Sequence, residues 1–469
     1  MKWYRDLKTV LSGEPETWLC YIYGRQIKNL PFLMEKKPRS RGFILQIAKF
    51  FYSLLKAVRL KEHSKLKQPI RFFVFAGTTN QMHSLDQTLD ALCNKGEQLV
   101  AVGKSKHLAT GDYEKGYLPF QLMPLDVIRI LVLFISRGWG LYKSLKAIHP
   151  VSIGWYFSKF CSVYTYLVYF YRVLSRTSPE FVITSNDHNV PNRCMLAIAH
   201  HLGIKTVYLQ HASVSSIFPA LRVNYAFLDG QGAVDTYMEC EPNQPNTQRK
   251  VPIPQVILSG QKKHLKRVEN SNVNTVGVAL NALDDVKEGI AFVKKLVAEG
   301  VNIRLRWHPG QAPRDTQAYR DTFEKNEQVV LSDPRQEAIS RFMENIGWLI
   351  AGNSSIHLEA ALAGVIPIYY ELAPPDHPDY YGYVKHGLTQ PAESVEDILK
   401  LLRQARDNHS SSEQAVRYYS STYLTKWDGL EGELVAETLI RLSTGEDLPV
   451  KAVDFIKTET DAYRINPCK

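Results

Sequence analysis

Two patterns of apolar and polar residues alternate along the chain. Short apolar runs, such as IRFFVFAG beginning at Ile70, have the continuous hydrophobicity of a strand that is buried on both faces. Longer stretches, such as DVKEGIAFVKKLVAEG beginning at Asp285, repeat apolar residues every three or four positions, as an amphipathic helix does. Strands that alternate with helices indicate parallel pairing, so the sequence predicts an α/β fold.

The alternation occurs in two series, which predicts two α/β domains. The first series includes EFVITSNDHN, KTVYLQHAS and YAFLDG, and the second includes NTVGVAL, VNIRLRW, QVVLS, GWLIAG and VIPIYYE. The charged segment QKKHLKRVENSN separates them, and a chain of 469 residues exceeds what one core usually covers. The predicted parts are a basic helical segment over 1–68, α/β domains over 69–267 and 268–443, and a tail over 444–469.

The N-terminal segment contains an amphipathic stretch with basic residues between its apolar positions. The apolar residues that recur there at helical spacing are Ile44, Ala48, Phe51, Leu55 and Val58. This pattern is typical both of a helix that lies on an anionic membrane and of a packing helix with a solvated basic edge. Both interpretations stay open from the sequence. The apolar, aromatic stretch 125–175 predicts further helices.

Composition narrows the class of protein. The net charge of +10 suits an anionic partner, although the basic residues are spread along the chain, which does not favour nucleic acid. Six scattered cysteines show no metal-ligand spacing and are typical of reduced thiols in a cytosolic setting. The stretch MKWYRDLKTV lacks the apolar core of a signal peptide, and no apolar run is long enough to span a bilayer. We expect a cytoplasmic protein, at most peripheral on a membrane.

Polar residues follow several predicted strands, and ligands of parallel α/β sheets bind beyond the carboxyl ends of strands. In the first series Asp187, His211 and Asp229 stand at such positions. A carboxylate or an imidazole at a strand end can act as a general base, and histidine does so most often because its pKa lies near neutrality.

In the second series the stretch GWLIAGNSSIHLEAALAG breaks a strand and begins a helix. Asn353 or Ser354 can cap that helix, and its first-turn N–H groups can bind an anion such as phosphate. The hydroxyls of Ser354 and Ser355 would add donors. Glu359 lies four residues beyond Ser355, on the same helix face, where a carboxylate can bind ribose hydroxyls.

Two further strand ends carry candidate ligand-binding residues. Asn281 follows VGVAL, where an amide can contact a bound donor. His308 follows RLRW and precedes Pro309, which restricts the histidine to extended geometry. An imidazole at this position can donate to a phosphate. Together with the serine pair, it predicts a nucleotide site.

His308-Pro309 and Ser354-Ser355 resemble the His-Pro and Ser-Ser or Ser-Thr motifs that hold the nucleotide in GT-B glycosyltransferases with cytidine-nucleotide donors. This group includes bacterial sialyltransferases, polysialyltransferases and β-Kdo transferases, with CDP-glycerol glycerophosphotransferases as relatives in layout. The resemblance implies two Rossmann-like domains facing across a cleft, with the acceptor domain over 69–267 and the nucleotide-donor domain over 268–443.

The stretch VYLQHASVSSIFP is similar to the Gln-His or Trp-His strand-end motif of glycerophosphotransferases and capsule enzymes, which implies that His211 is the base. Asp187 ranks second and Asp229 third. Sialyltransferase-type families carry an acidic-acidic-Gly motif, whereas this chain has Leu228-Asp229-Gly230 with one acid. No Asp-x-Asp motif stands near a strand end, so we expect transfer without a metal or other cofactor.

The resemblance implies a glycosyltransferase of bacterial capsule or lipopolysaccharide synthesis. It would move a sugar, CMP-activated sialic acid or Kdo, from its nucleotide to a glycan or lipid-linked acceptor with inversion, at the inner face of the membrane. Three alternatives remain: a CDP-glycerol-type phosphotransferase, a nucleotide-sugar 2-epimerase that shares the fold, and a non-catalytic polyanion-binding protein.

Overall fold

A computed structural model of the chain describes residues 2–20, 42–104, 116–148, 150, 153–214, 220–240, 254–261, 265, 274–281, 284–372, 378–404, 411–450, 452–457 and 463–466. The chain divides into two compact units. The larger consists of Met1–Lys262 and Leu430–Lys469, and the smaller of Lys263–Gly429. The smaller unit is therefore inserted between two parts of the larger one. The boundary predicted near residue 268 lies outside the described residues.

The helices and strands are numbered in chain order. The helices are α1 (Lys2–Gly13), α2 (Glu16–Leu19), α3 (Phe43–Ala57), α4 (Thr79–Asn94), α5 (Pro124–Ile148), α6 (Ile153–Thr177), α7 (Val190–His201), α8 (Gln231–Glu239), α9 (Val286–Ala298), α10 (Pro313–Phe323), α11 (Ile339–Glu344), α12 (Ile356–Leu362), α13 (Val395–Arg403), α14 (Glu413–Tyr419) and α15 (Glu431–Thr444). The strands are β1 (Phe72–Ala76), β2 (Leu99–Gly103), β3 (Tyr117–Pro119), β4 (Phe181–Thr184), β5 (Lys205–Leu209), β6 (Tyr225–Leu228), β7 (Gln255–Leu258), β8 (Val276–Ala279), β9 (Ile303–Arg306), β10 (Val329–Ser332), β11 (Trp348–Ala351), β12 (Ile366–Tyr369), β13 (Gln390–Pro391), β14 (Ala452–Lys457) and β15 (Tyr463–Asn466).

The larger unit is built on a sheet with the strand order β15-β14-β7-β6-β5-β4-β1-β2-β3. All pairs from β7 to β3 are parallel, whereas β14 joins β7 in the antiparallel sense. The predicted tail over 444–469 thus contributes two strands to the sheet. Such an extension satisfies the backbone N–H and C=O groups that an edge strand leaves unpaired.

The run FFVFA explains why this sheet is covered on both faces. All five of its residues are buried in β1. Phe72 and Val74 pack in one apolar cluster with α4 and α15, and Phe73 and Phe75 pack in another with α6. Alternate residues of a strand point to opposite faces, so a continuous apolar run needs helices on both sides. The α/β prediction is confirmed.

Helix α3 packs on one side and is exposed on another. Its buried face consists of Gln46, Phe50 and Leu54. Two residues of the apolar pattern found in the sequence, Ile44 and Leu55, are instead 80% and 70% exposed. Phe51 and Val58 of the same pattern pack against the core, so the apolar pattern is partly packed and partly exposed.

The stretch predicted to be helical over 125–175 forms α5 and α6, so that prediction is confirmed. Helix α6 lies in the core, since most of its length is buried. Among the described helices, none combines the length and the apolar character that crossing a bilayer requires.

The smaller unit has a parallel sheet with the strand order β10-β9-β8-β11-β12-β13. Trp348 and Ile350 of β11 join the apolar cluster on one face, and Leu349 joins the cluster on the other. The second α/β series of the sequence therefore forms a sheet that is also covered on both faces.

We predict that the close packing of α15 on α4 depends on Gly432. A Cβ at this position would lie 2.6 Å from the backbone carbonyl carbon of Gln87. Gly432→Ala should therefore push the helices apart and lower the free energy of unfolding by about 1–3 kcal/mol, the usual effect of overpacking. Urea denaturation measures this change.

Gly140→Ala is the matched control. Gly140 lies within α5, and a Cβ there would have no neighbour within 4 Å. This substitution should leave stability unchanged or raise it by up to about 1 kcal/mol, because alanine is the better helix former. Equal stability of the two variants would contradict the packing of α15 described above.

Candidate functional site

The three base candidates of the larger unit stand at one edge of its sheet. Thr184 of β4, Tyr208 of β5 and Ala226 of β6 are paired side by side. The three base candidates each follow one of these paired residues by three positions. Parallel strands in register end at the same edge. The structure thus brings together the strand ends that carry all three, as the sequence predicted, while the choice of base stays a prediction.

A short turn after β4 holds Asp187, which is buried. Its Oδ1 lies 3.2 Å from Nδ1 of His188. The side-chain oxygen of Asn186 accepts hydrogen bonds from the backbone N–H groups of His188 and Asn189, at 3.1 and 2.9 Å. The Asn186 amide nitrogen lies 3.1 Å from His188 Nε2. If that amide donates, the neutral imidazole carries its proton on Nδ1 and donates to Asp187. His188 was not predicted from the sequence as a partner of Asp187.

Gln210 connects the other two strand ends. Its side-chain oxygen accepts from the backbone N–H of Asp229 at 2.9 Å, and its amide nitrogen donates to the carbonyl of Ala212 at 3.0 Å. The side chain is buried, so these bonds are shielded from water. Gln210 therefore holds the backbone at Ala212, directly after His211, in a fixed position relative to the backbone at Asp229. In the Gln210-His211 pair noted in the sequence, Gln210 therefore positions the backbone around His211.

In the smaller unit, four neighbouring strands also end in register. Asn281, His308, Asn353 and Glu371 each lie two residues beyond the paired ends of β8, β9, β11 and β12. Adjacent strands are about 4.8 Å apart. This edge of the sheet therefore presents four polar side chains in a row, of which the sequence analysis selected all but Glu371.

Asn281 and Glu371 both hold the turn at Asn353. The amide nitrogen of Asn281 donates to the carbonyl of Asn353 at 2.7 Å. Glu371 Oε1 accepts from the Asn353 backbone N–H at 2.8 Å and from the Tyr369 hydroxyl at 2.7 Å. A Cβ at Gly352 would lie 2.4 Å from Glu371 Oε2, so any larger residue there would displace this carboxylate. Three strand ends are thereby connected.

The serine pair begins helix α12 differently from the expectation. The side-chain oxygen of Asn353 accepts from the backbone N–H of Tyr380 at 2.8 Å. Ser354 Oγ accepts from the Ile356 N–H at the long distance of 3.4 Å. Ser355 stands at the N-cap without a side-chain capping bond. Of the two residues that the sequence offered as caps, Ser354 makes this long hydrogen bond to the first turn, whereas the amide oxygen of Asn353 accepts from Tyr380.

Glu359 lies one turn into α12 and is buried. Burial lowers the pKa of the neighbouring Arg306, and the carboxylates of Glu337 and Glu359 oppose that effect. Glu359 is therefore close enough to Arg306 for their charges to interact. Its predicted role toward a ribose stays a prediction.

His308 is exposed and held by a tight turn through Pro309. The Gly310 N–H donates to its Nδ1 at 3.0 Å, and the Gln311 N–H donates to its carbonyl at 2.9 Å. Since Nδ1 accepts a hydrogen bond, the neutral ring carries its proton on Nε2. His308 is thus prepared to donate to an oxygen atom such as that of a phosphate.

A pocket that is partly open to solvent adjoins this edge of the smaller unit, and its lining includes Asp284, Gly352 and Tyr370. Asp284 Oδ2 accepts from the Asn281 N–H at 2.6 Å. Burial raises the pKa of the Asp284 carboxyl, and the nearby Glu371 raises it further. Asp284 was not among the residues predicted from the sequence, although it lies in the loop directly after β8.

Solved structures share this fold. A UDP-N-acetylglucosamine 2-epimerase superposes with a TM-score of 0.52 at 11% identity, over 82% of this chain and 99% of its own. The UDP-GlcNAc 2-epimerase from Neisseria meningitidis bound to UDP-GlcNAc gives a TM-score of 0.51 at 12% identity, over 79% of this chain and 100% of its own. A scan of protein-family models and a search of curated proteins both give no match. The chain has the GT-B type of fold.

We predict a pH dependence of stability from His357, which is fully buried beside the serine pair and hydrogen-bonded through Nε2 to the Gly352 carbonyl at 2.9 Å. Burial lowers the pKa of His357 from 6.5 to about 4. The unfolded chain therefore binds this proton first as the pH falls. Stability should decrease between pH 6.5 and about 4, by about 3 kcal/mol in total from this residue.

His357→Gln keeps an N–H donor without a titrating group and should flatten this part of the profile, measured by urea unfolding at pH 7, 6 and 5. His83→Gln, at an exposed position of α4, is the control and should leave the profile unchanged. An unaltered slope in His357→Gln would show that the residue is not buried in its neutral form.

Proposed function

We propose that this chain is a glycosyltransferase that moves a sugar from a nucleotide donor to a glycan acceptor, with inversion and without a metal. The observation that carries the proposal is the row of register-aligned strand ends in the smaller unit, which presents Asn281, His308 and Asn353 followed by two serines. Ligands of open parallel α/β sheets bind beyond the carboxyl ends of the strands, and these residues lie at that edge.

The geometry supports a division of chemical roles. Inverting transfer needs a base for the acceptor hydroxyl and donors that stabilise the phosphate as it leaves. The larger unit offers His211, Asp187 and Asp229 as bases. The smaller unit offers the Nε2 proton of His308 and the hydroxyls of Ser354 and Ser355. His308 and the serines follow β9 and β11, which flank β8, so they stand roughly 10 Å apart. A nucleoside monophosphate or diphosphate can bridge this distance.

The donor that we propose is a CMP-activated acidic sugar, of the sialic acid or Kdo class. The support is the pairing of His308-Pro309 with Ser354-Ser355, which resembles the nucleotide motifs of cytidine-dependent GT-B enzymes. The acceptor would then be a growing surface glycan, capsule or lipopolysaccharide, at the inner face of the bacterial membrane.

We predict that a cytidine nucleotide raises the thermal unfolding midpoint more than UDP or GDP does, when CMP, CDP, UDP and GDP are compared. A ligand at 100 times its Kd stabilises the folded state by about 2.7 kcal/mol. His308→Ala and Ser355→Ala should each weaken nucleotide binding at least about tenfold, because each removes a hydrogen bond to a charged group.

The matched controls are His83→Ala and Ser136→Ala, the same substitutions at exposed positions of α4 and α5. Full nucleotide binding and full transferase activity in both His308→Ala and Ser355→Ala would contradict the proposal. A shift with UDP alone would keep the nucleotide-sugar assignment and replace the cytidine donor.

The second candidate function is a nucleotide-sugar 2-epimerase. Its support is that the superposed solved structures with TM-scores of 0.51 and 0.52 are UDP-GlcNAc 2-epimerases. An epimerase needs no acceptor. Formation of a changed sugar nucleotide without any acceptor would favour it, whereas release of nucleotide only when an acceptor is present would favour the transferase.

Membrane attachment is the remaining part of the proposal. Five apolar residues of α5 form one stripe at alternating spacings of three and four, and each is at least 41% exposed: Leu125, Ile128, Val132, Ile135 and Trp139. Helix α3 lies beside α5, with the rings of Phe50 and Phe134 centred 5.4 Å apart. It adds the exposed Ile44, Tyr52 and Leu55. Exposed apolar patches of this extent mark interaction surfaces.

The charges around this surface favour an anionic bilayer as the partner. Helix α3 contains no acidic residue, and the one acid of α5, Asp126, is fully buried. The exposed basic residues on and beside the two helices are Lys49, Lys56, Arg59, Lys61, Lys143 and Lys146. An apolar stripe with a tryptophan and flanking lysines is typical of helices at a lipid interface.

We therefore predict that the protein sediments with vesicles of phosphatidylglycerol and phosphatidylcholine more than with phosphatidylcholine alone. Ile128→Ser with Ile135→Ser should weaken this binding at least about tenfold, through lost apolar contact with lipid. The control is Val330→Ser with Leu430→Ser, two apolar residues that are 48% and 49% exposed elsewhere. Equal binding by both double variants would rule out the α3–α5 surface as the membrane contact.

A further inference from the structure

A second cavity lies wholly within the larger unit and is lined by charged side chains. It encloses about 310 Å³, a figure that includes space open to solvent. Its polar and aromatic lining consists of Glu14, Trp18, Asp187, Arg193, His200 and Arg222. One of these residues, Asp187, is a base candidate of the proposed reaction, and the others have no role assigned so far.

Arg222 is the least satisfied group in this cavity. The residue is 93% buried, since only 7% of it is exposed. Its Nε, Nη1 and Nη2 atoms have no hydrogen-bond acceptor among the described residues. Glu14 Oε1 lies 3.7 Å from Nη2, an ion pair without a hydrogen bond. A guanidinium offers five N–H donors, and leaving them buried without acceptors is unfavourable.

Arg193 has a similar surplus of donors. It is 3% exposed and stacks on Trp18, with the guanidinium carbon 3.9 Å from the ring centroid. Nη1 donates to the Trp18 carbonyl at 2.6 Å and Nε to the Asp187 carbonyl at 3.4 Å. Nη2 has no acceptor among the described residues. Burial lowers the pKa of Arg193 to about 10, and the positive charge of Arg222 adds to that decrease while Asp187 opposes it.

The carboxylates that face the cavity do not use up these donors. Glu14 lies 3.7 Å from Arg222 and 3.9 Å from Nδ1 of His200. Asp187 contacts His188 through Oδ1. Both acids therefore balance charge at a distance, while Nη2 of Arg193 and the whole fork of Arg222 remain available. Such a fork binds two oxygen atoms of one carboxylate or phosphate in a bidentate manner.

We propose that this cavity binds an anionic group with two or more oxygen atoms, a carboxylate or a phosphate monoester, between Arg193 and Arg222. This proposal rests on the proposed function only where it assigns the anionic group to the sugar or to the acceptor. The anion would lie in the same cavity as Asp187, beside the acid-base residues of the larger unit. Glu14 and Trp18 come from the region of α1 and α2, so the N-terminal helices complete this site.

The test measures anion binding directly, by titration calorimetry with inorganic phosphate and with glucuronate in chloride buffer of constant ionic strength. Arg222→Gln removes the charge and the fork and should weaken binding at least about tenfold, the loss that one charge-assisted hydrogen bond predicts. Arg5→Gln is the matched control, because the side chain of Arg5 is 78% exposed. It should bind as the unaltered protein does.

Arg222→Lys keeps the charge and removes the bidentate geometry, so it should weaken binding less than Arg222→Gln and more than Arg5→Gln. This variant decides the matter if Arg222→Gln does not fold. Binding of glucuronate supports a sugar carboxylate as the ligand, and binding of phosphate alone supports a phosphate monoester. Unchanged binding in Arg222→Lys and Arg222→Gln would overturn the proposal.

The same variants separate this proposal from the nucleotide site. Arg222→Gln should keep the nucleotide-induced thermal shift while losing the anion. A phosphate signal that disappears in Ser355→Ala and persists in Arg222→Gln belongs to the nucleotide site and overturns the cavity proposal. Anion binding that depends on Arg222, without any nucleotide shift, supports the cavity and contradicts the proposed transferase.

Discussion

The register of the parallel strands is the constraint on which both sets of candidate residues depend. Strands that are paired in register end together, so residues far apart in sequence reach one edge of a sheet. In the larger unit this alignment collects Asp187, His211 and Asp229. In the smaller unit it collects a row that begins at His308 and ends at Glu371. A one-residue slip would turn each of these side chains to the opposite face of its sheet.

The sequence was sufficient to predict features that depend on a short stretch of consecutive residues. Five consecutive apolar residues in FFVFA predicted a strand covered on both faces, and polar residues directly after such strands predicted the sheet edges. It was insufficient for contacts made by packing alone. Trp18 and Arg193 are 175 residues apart, and nothing in either neighbourhood indicates that they stack. The contact between Asn353 and Tyr380 was not predicted for the same reason, since the two residues are 27 positions apart.

The two units treat buried charge differently. In the smaller unit two acids beside the site accept hydrogen bonds: Glu371 accepts from Asn353 and Tyr369, and Asp284 accepts from Asn281. In the larger unit two guanidinium groups are buried with fewer acceptors than donors. Satisfied networks of this kind make a site rigid, whereas unsatisfied ones lower stability until a ligand supplies the missing partners. Rigidity around the proposed nucleotide and ligand dependence around the proposed anion are the expected physical result.

The insertion of the smaller unit has a consequence for the order in which the chain folds. Helix α15 packs with α4 in one apolar cluster, through Val435 and Leu439 on one side and Leu85 and Leu89 on the other. Synthesis proceeds from the N-terminus, so α4 leaves the ribosome long before α15 does. Throughout the translation of Lys263–Gly429 the apolar face of α4 has no cover from its final partner. The nascent larger unit thus keeps this apolar face uncovered during that interval, whereas the whole inserted unit has been synthesised before α15 is made.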